Sequence, residues 1–263
     1  RNNFNGSLTI SYLLKTIRFT NTFSLGLNNS EESPYGDFYT YVSMNPYFYP
    51  YDENGQVVKS FITFGSTTGT TTLENPLWEA SINKFNKEKY TNIRNTFQME
   101  WNVLKGLKLA TRVGYSSQTN RSDQFSPKSS NDFNNIQDPN AKGSYTWGYG
   151  ETQSWQWSIT GNYGNTFGLH SVFVGVDGSL NETRSLNYML WVRGFANDHL
   201  TDISNAAGFA TERPSATDSK SRQVGLTITG NYNYDDRYFA DFSYRLDGSS
   251  SFGSNNRFAP FWS

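Results

Sequence analysis

The feature that most constrains this chain is an alternation of period two, apolar against uncharged polar, sustained for ten or more residues at a time. Along 222–234, Val224, Leu226, Ile228, Tyr232 and Tyr234 alternate with Gln223, Thr227, Thr229, Asn231 and Asn233. In 16–27, Ile17, Phe19, Phe23, Leu25 and Leu27 are set against Arg18, Thr20, Thr22 and Ser24; in 92–102, Ile93, Phe97, Met99 and Trp101 oppose Arg94, Thr96, Gln98 and Glu100. Successive side chains of a strand point to opposite faces, so the pattern writes strands with one greasy and one wet face, not helices of period 3.6. Further strands read at about 4–13, 107–118, 152–163, 170–182 and 237–247. In 170–182 both faces carry apolar residues, Val172, Val174 and Val176 against Phe173, which leaves its orientation open.

Strand length and spacing narrow the class. The strands run 10 to 13 residues, whereas soluble strands average about five or six and a tilted bilayer-crossing strand needs about 9 to 11. Links near Leu14-Lys15, Leu104-Lys105, Asn165-Thr166 and Asp235-Asp236 are short enough for hairpins. The links at about 28–91, 119–151 and 183–219 are long, polar and rich in Asn, Gly, Ser and Pro. They fall on every second connection, so all emerge on one side of the sheet, which is the layout of a transmembrane barrel. Aromatics gather beside the short turns, at Tyr12, Trp101, Tyr163, Tyr232, Tyr234 and Tyr238, where an interfacial girdle would lie. Composition agrees: hydrophobic residues are only 35%, but aromatics reach 17% and net charge is −1, which excludes disorder for most of the chain.

Several functions are excluded or weakened by what the 263 residues contain. Lys and Arg form no stripe, so nucleic acid is not an expected partner. Zero cysteines removes thiolate chemistry and Cys-ligated zinc. No run of about 18 apolar residues exists for a transmembrane helix, a test that strands escape. His170 and His199 are the two histidines, and neither sits at a catalytic or metal-ligand spacing. Asp247-Gly248-Ser249-Ser250 lacks the Gly-x-Ser-x-Gly and strand-turn-helix setting of a nucleophile, and Asp52-x-Asn54-Gly55 lacks the Glu that closes a calcium loop. No phosphate loop occurs. No catalytic residue, metal site or cofactor is expected.

One run is recognisable. Tyr234-Asp235-Asp236-Arg237-Tyr238, then Tyr244-Arg245-Leu246-Asp247-Gly248-Ser249-Ser250-Ser251-Phe252-Gly253 and Asn255-Asn256-Arg257-Phe258, resembles the barrel signature of the TonB-dependent outer-membrane transporters of the SusC/RagA type from Bacteroidetes. Asn45-Pro46-Tyr47-Phe48-Tyr49-Pro50-Tyr51-Asp52, Asn75-Pro76-Leu77-Trp78, Trp101 before Leu104-Lys105-Gly106-Leu107, and Gly194-Phe195-Ala196-Asn197-Asp198 are similar to further pieces of that family, in the same order. The resemblance implies an all-β fold: an antiparallel transmembrane β-barrel segment, about eight strands of a plugged barrel of about 22. Residues 1–263 would then be part of the barrel domain, with signal peptide, plug and TonB-contacting segment lacking a counterpart here.

What the family implies is import of oligosaccharides or peptides across a Gram-negative outer membrane. A SusD-like surface lipoprotein would be the partner, with the TonB complex acting through other parts of the chain and outer-membrane lipid around the wall. The rival readings are a passive porin and a soluble β-sandwich that binds glycans. Eight aromatics lie between Tyr35 and Tyr51, and Tyr41, Tyr47, Tyr49 and Tyr51 are the candidate substrate contacts, since such rings stack on sugars or cover apolar peptide groups while their hydroxyls bond the ligand's edge. The polar faces carry Arg18, Arg94, Glu100, Lys108, Arg112, Asp241, Arg245 and Asp247. A three-residue turn at 103–105 would set Glu100 opposite Lys108 as a structural pair.

Overall fold

The computed structural model describes residues 1–66, 69–210, 213–253 and 257–263, and side chains at these positions except within 62–72. Asn255 and Asn256 of the C-terminal signature lie outside the described residues. In chain order the elements are β1 (Asn2–Leu14), β2 (Ile17–Glu31), α1 (Phe38–Val42), β3 (Ser60–Ser66), β4 (Gly69–Glu74), α2 (Pro76–Ser81), β5 (Phe85–Leu104), β6 (Leu107–Ser126), β7 (Ser144–Phe167), β8 (His170–Phe195), β9 (Ala206–Phe209), β10 (Ser215–Tyr234), β11 (Tyr238–Ser249) and β12 (Phe258–Trp262). One antiparallel sheet takes them in the order β1-β2-β5-β6-β7-β8-β10-β11-β12, with β9 on the outer end of β8 and the β3–β4 hairpin separate.

Paired residues share a face, so rows can be followed across the whole sheet. Tyr12, Phe19, Met99, Thr111, Ile159, Gly178, Leu226, Leu246 and Pro260 form one row. The row beside it is Ser11, Thr20, Gln98, Arg112, Ser158, Ser179, Gly225, Asp247 and Ala259. Repetition of such rows gives one apolar face and one polar face. On the apolar face greasy side chains dominate nine to eleven residues of each long strand, as in Phe4–Leu14, Ile17–Leu27, Leu107–Tyr115 and Trp155–Tyr163. The polar face is stitched by hydroxyl pairs, Ser7 with Ser24 at 3.2 Å, Thr9 with Thr22 at 3.1 Å and Ser154 with Thr183 at 3.1 Å, which is the use the chain makes of its Ser and Thr.

The register also settles β8. Val172, Val174, Val176 and Leu180 pair with Asn165, Tyr163, Gly161 and Trp157 on the apolar face, and Phe173 stands on the polar face between Gly164 and Asn231. Sequence alternation failed there because Phe173 is a greasy ring placed among wet neighbours.

Two expectations need correcting. The β7–β8 turn is Gly168-Leu169, not Asn165-Thr166, since Asn165 and Thr166 continue the ladder opposite Val172 and Ser171. And the strands are longer than read, up to the 26 residues of β8, so the loops shrink to 32–84, 127–143 and 196–214. Backbone pairing continues past the apolar stretch through residues polar on both faces, and such residues carry no hydropathy contrast to read. The tight turns still gather at one edge and the long loops at the other.

Among the described residues the buried apolar cluster is small and sits at the loop edge: Phe125, Tyr145, Val192 and Phe195, backed by Phe85, Trp147, Leu190, Ile203 and Ala206. None of the described residues covers the broad apolar face, where Leu8 is 60% exposed, Ile10 61% and Trp157 48%. A face of this extent left open to water is far larger than the few hundred Å² that soluble monomers tolerate.

Candidate functional site

The chemistry-bearing residues cluster at the loop edge, where three loops are clasped together. In the first, Asp37 caps α1, its Oδ1 accepting from the Tyr39 amide at 3.2 Å. Asp52 Oδ1 accepts from the amides of Asn54 (2.9 Å) and Gln56 (2.8 Å), so the half calcium loop is a self-contained turn. Asn75, fully buried, caps α2 and also donates to the carbonyls of Pro50 (3.0 Å) and Val58 (2.7 Å). That one amide therefore joins the Asn45–Asp52 and Asn75–Trp78 segments.

Between loops the central group is Glu79 on α2. Its Oε1 accepts from the Asn131 amide at 2.7 Å, and its Oε2 accepts from Ser130 Oγ at 2.9 Å and Lys84 Nζ at 2.8 Å. Lys84 also donates to Asp132 at 2.8 Å. Burial pulls the Lys84 ammonium down, but its bonds to Asp132 and Glu79 outweigh this and hold it above the ordinary lysine value. Burial likewise pushes Asp132 up, and the Lys84 contact overrides it to leave the carboxyl below its usual range. Trp78 Nε1 donates to the Ser129 carbonyl at 3.0 Å, and Asp198 Oδ1 accepts from the Ser129 amide at 3.0 Å. The third loop leaves β8 through Gly194, whose φ of +83° and contact with the Asn140 carbonyl admit no side chain. Glu79, Lys84 and Ser130 carried no motif in the sequence. Glu79 and Lys84 meet each other within one loop, but their partners Ser130, Asn131 and Asp132 lie some fifty residues away, and only folding makes those neighbours.

The four candidate tyrosines do not form one surface. Tyr47 and Tyr49 are 92% and 73% exposed, and Tyr49 meets Tyr51 edge-on at 5.9 Å. Tyr41 is half-buried on α1, with its hydroxyl enclosed and lacking a hydrogen-bond partner among the described residues, and its burial raises the phenol's pKa. Beneath the first loop a cavity of about 300 Å³ opens between Glu32, Tyr35, Asp37, Glu79, Lys84 and Phe85. The polar face carries two open hollows, of about 590 Å³ around Asn3, Asn5, Asn92 and Arg94, and about 470 Å³ around Tyr90, Asn120, Gly148 and Asn187.

All eight polar-face charges stand on that face, with pairings that differ from the expected one. Glu100 lies opposite Ala110 and Arg18, not Lys108, and its Oε2 is 3.9 Å from Arg18 Nη1. A bulge at Val103 and a two-residue Lys105-Gly106 turn, Gly106 at φ +86°, shift the β5–β6 register by two, which keeps the face but changes the partner. Arg245 Nε and Asp247 of the C-terminal signature pair at 2.7 Å.

No family model matches the chain. It is 23% identical over 189 residues to TonB-dependent receptor P3 of Formosa agariphila, a match spanning 72% of this chain and 18% of that protein. Its fold is similar to a chain of the RagAB peptide transporter, with a TM-score of 0.77 at 19% identity, covering 99% of this chain and 29% of that one. The RagAB peptide importer in its open-open state gives 0.75 at 20% identity. The chain thus spans less than a third of these relatives' length. The likeness to a TonB-dependent receptor thus stands in sequence and the likeness to the RagAB transporter in fold.

Proposed function

We propose that this chain is wall and outer loops of a SusC/RagA-type TonB-dependent importer in a Gram-negative outer membrane, residues 1–263 lying within its barrel domain. The observation that carries the reading is the uncovered apolar face: on each long strand a stretch nine to eleven residues long whose outward side chains are greasy, tight turns at one edge and clasped loops at the other. A strand tilted by about 45° crosses the hydrocarbon core in about that length. The girdle residues Tyr12, Trp101, Tyr163, Tyr232, Tyr234 and Tyr238 all fall on this face beside the turns. The polar face becomes the lumen wall, and β1 and β12, each paired on one side among the described residues, require neighbouring strands, because lipid cannot satisfy a bare edge.

Substrate enters past the first loop. Oligosaccharide and peptide both fit rings such as Tyr47, Tyr49 and Tyr51, and peptide is favoured by the fold likeness to RagAB. A SusD-like lipoprotein closes the outer mouth and the TonB complex supplies energy through the plug. The test is expression of the full transporter: outer-membrane fractionation, detergent dependence and heat-modifiable migration are expected, and extraction without detergent overturns the reading in favour of a soluble sandwich. Simultaneous alanine substitution of Tyr41, Tyr47, Tyr49 and Tyr51 is expected to cut uptake, and unchanged uptake at normal membrane levels removes these tyrosines from the substrate path.

A further inference from the structure

The apolar face does not stay apolar to the loop edge. Directly beyond Trp155, Leu180 and Val224 on β7, β8 and β10, the same face carries Gln153 and Glu151, Glu182 and Arg184, then Arg222, Lys220 and Asp218. Beyond these it turns aromatic again at Tyr149 and Tyr188, whose rings lie 6.5 Å apart. A band of charge is thus held between two greasy zones on the outward side of the sheet. Glu182 is shared by Lys220 at 2.6 Å and Arg222 at 2.5 Å, and Arg184 pairs with Asp218 at 2.5 Å. Glu151 takes up Gln153 at 2.6 Å. Locally two cations on β10 answer one carboxylate on β8, and both keep much of their side chain in the open, Lys220 at 44% and Arg222 at 65%.

Height decides what this belt meets. Arg222 and Glu182 lie two residues past the last apolar position. At about 3.4 Å per residue and a tilt of about 45° that is about 5 Å above the hydrocarbon edge, and Lys220 and Arg184 are about 10 Å above it. The headgroup layer is about 5 to 7 Å thick on each side, so the belt begins inside it. Surface pairs between exposed side chains are worth about 0–1 kcal/mol, so these pairs open readily for a stronger anion. A phosphate offers several charge-assisted bonds at once.

We propose that this belt binds the phosphate-bearing headgroup of an outer-leaflet lipid, with Lys220 and Arg222 as the ligands and Glu182 holding them until it arrives. The proposal rests on the reading of the apolar face as lipid-facing, and its experiment separates the two. The full transporter is taken from outer membranes in mild detergent, and lipid A retained per protein is measured by mass spectrometry, with heat-modifiable migration scored on the same samples. The K220Q/R222Q double variant is expected to lose about tenfold in retained lipid A. E182Q, which frees both cations, is expected to gain. R18Q/K108Q, which removes charge from the polar face alone, is expected to leave retention unchanged. Inorganic phosphate at millimolar concentration is not expected to displace the lipid, whose acyl chains add to its hold. A properly inserted K220Q/R222Q protein that retains lipid A like the wild type overturns this inference alone, as does a wild type whose belt is covered by protein and holds none. Failure of the wild type to show heat-modifiable migration overturns both readings.

Discussion

Replacing Glu79 with alanine tests whether the outer loops are one clasped body. The substitution removes the acceptor of three hydrogen bonds, from the Asn131 amide, Ser130 Oγ and Lys84 Nζ. Each bond to a charged group contributes about 1.5–3 kcal/mol, for a gross loss of about 4.5–9 kcal/mol. Two corrections reduce it. Glu79 and Lys84 keep 21% and 30% of their side chains exposed, which screens the ion pair, and Lys84 retains Asp132. Against that, Ser130 is fully buried, and its hydroxyl, which accepts from the Asp132 amide, loses the Glu79 carboxylate it donates to. A net cost of about 3 kcal/mol follows, or about a hundredfold more frequent opening of the 127–136 segment. Hydrogen exchange by mass spectrometry on the full protein in detergent reads this directly: amides of 127–136 lose protection by about two orders of magnitude while the mid-strand amides of β7 do not change. Glu79→Gln, which keeps one acceptor oxygen, falls between. Protection of 127–136 within twofold of wild type in Glu79→Ala refutes the clasp.

The same clasp has a pH window. Asp132 is held below its ordinary range, so its contribution is complete above about pH 4 and is lost as pH falls through the lowered value. Lys84 is held above its ordinary value, so its contribution is complete below about pH 10 and is lost as pH rises beyond it. Protection of 127–136 is therefore expected to be flat between those limits. For β8, Val176→Lys is expected to cost about 2–4 kcal/mol of folded-barrel stability in urea titrations in lipid, and Ser179→Lys on the polar face much less; equal costs contradict the orientation assigned to this strand. Removing the exposed Arg18–Glu100 pair by Glu100→Gln is expected to leave uptake nearly intact, a pair of this kind being worth about 0.2–1 kcal/mol, and lost uptake at normal membrane levels assigns Glu100 a larger part.

Much of the fold was legible because its decisive physics is local. A strand with one face in grease and the other in water repeats every two residues, and Ile17 to Leu27 or Val224 to Tyr232 print that repeat directly. Tight turns announce themselves by their brevity, and one of four was still misplaced, because Asn165 and Thr166 look like a turn while pairing as strand. The charged extensions of β5 to β8 read as loops along the sequence although they pair as strands. Their ladders are held by backbone groups, which every residue carries alike, so the side chains leave no trace of them.

The tyrosines of the first loop were visible as a cluster, yet composition did not reveal that Tyr41 turns inward while Tyr47 and Tyr49 stand clear. Glu79, Lys84, Ser130 and Asp198 were silent, for each is an ordinary polar residue until its partner arrives from another loop.

By itself, then, the sequence determined the strand class, the two faces, the side on which loops gather and the kind of protein the chain resembles, since each depends on neighbours within a few positions. Only the tertiary structure decided the register that gives Glu100 to Arg18, the face of Phe173, the clasp around Glu79 and the charged belt at Glu182. These are set by which residues meet across strands and loops, and a pairing shift of two, as at the Val103 bulge, exchanges partners without altering any pattern that can be read along the chain.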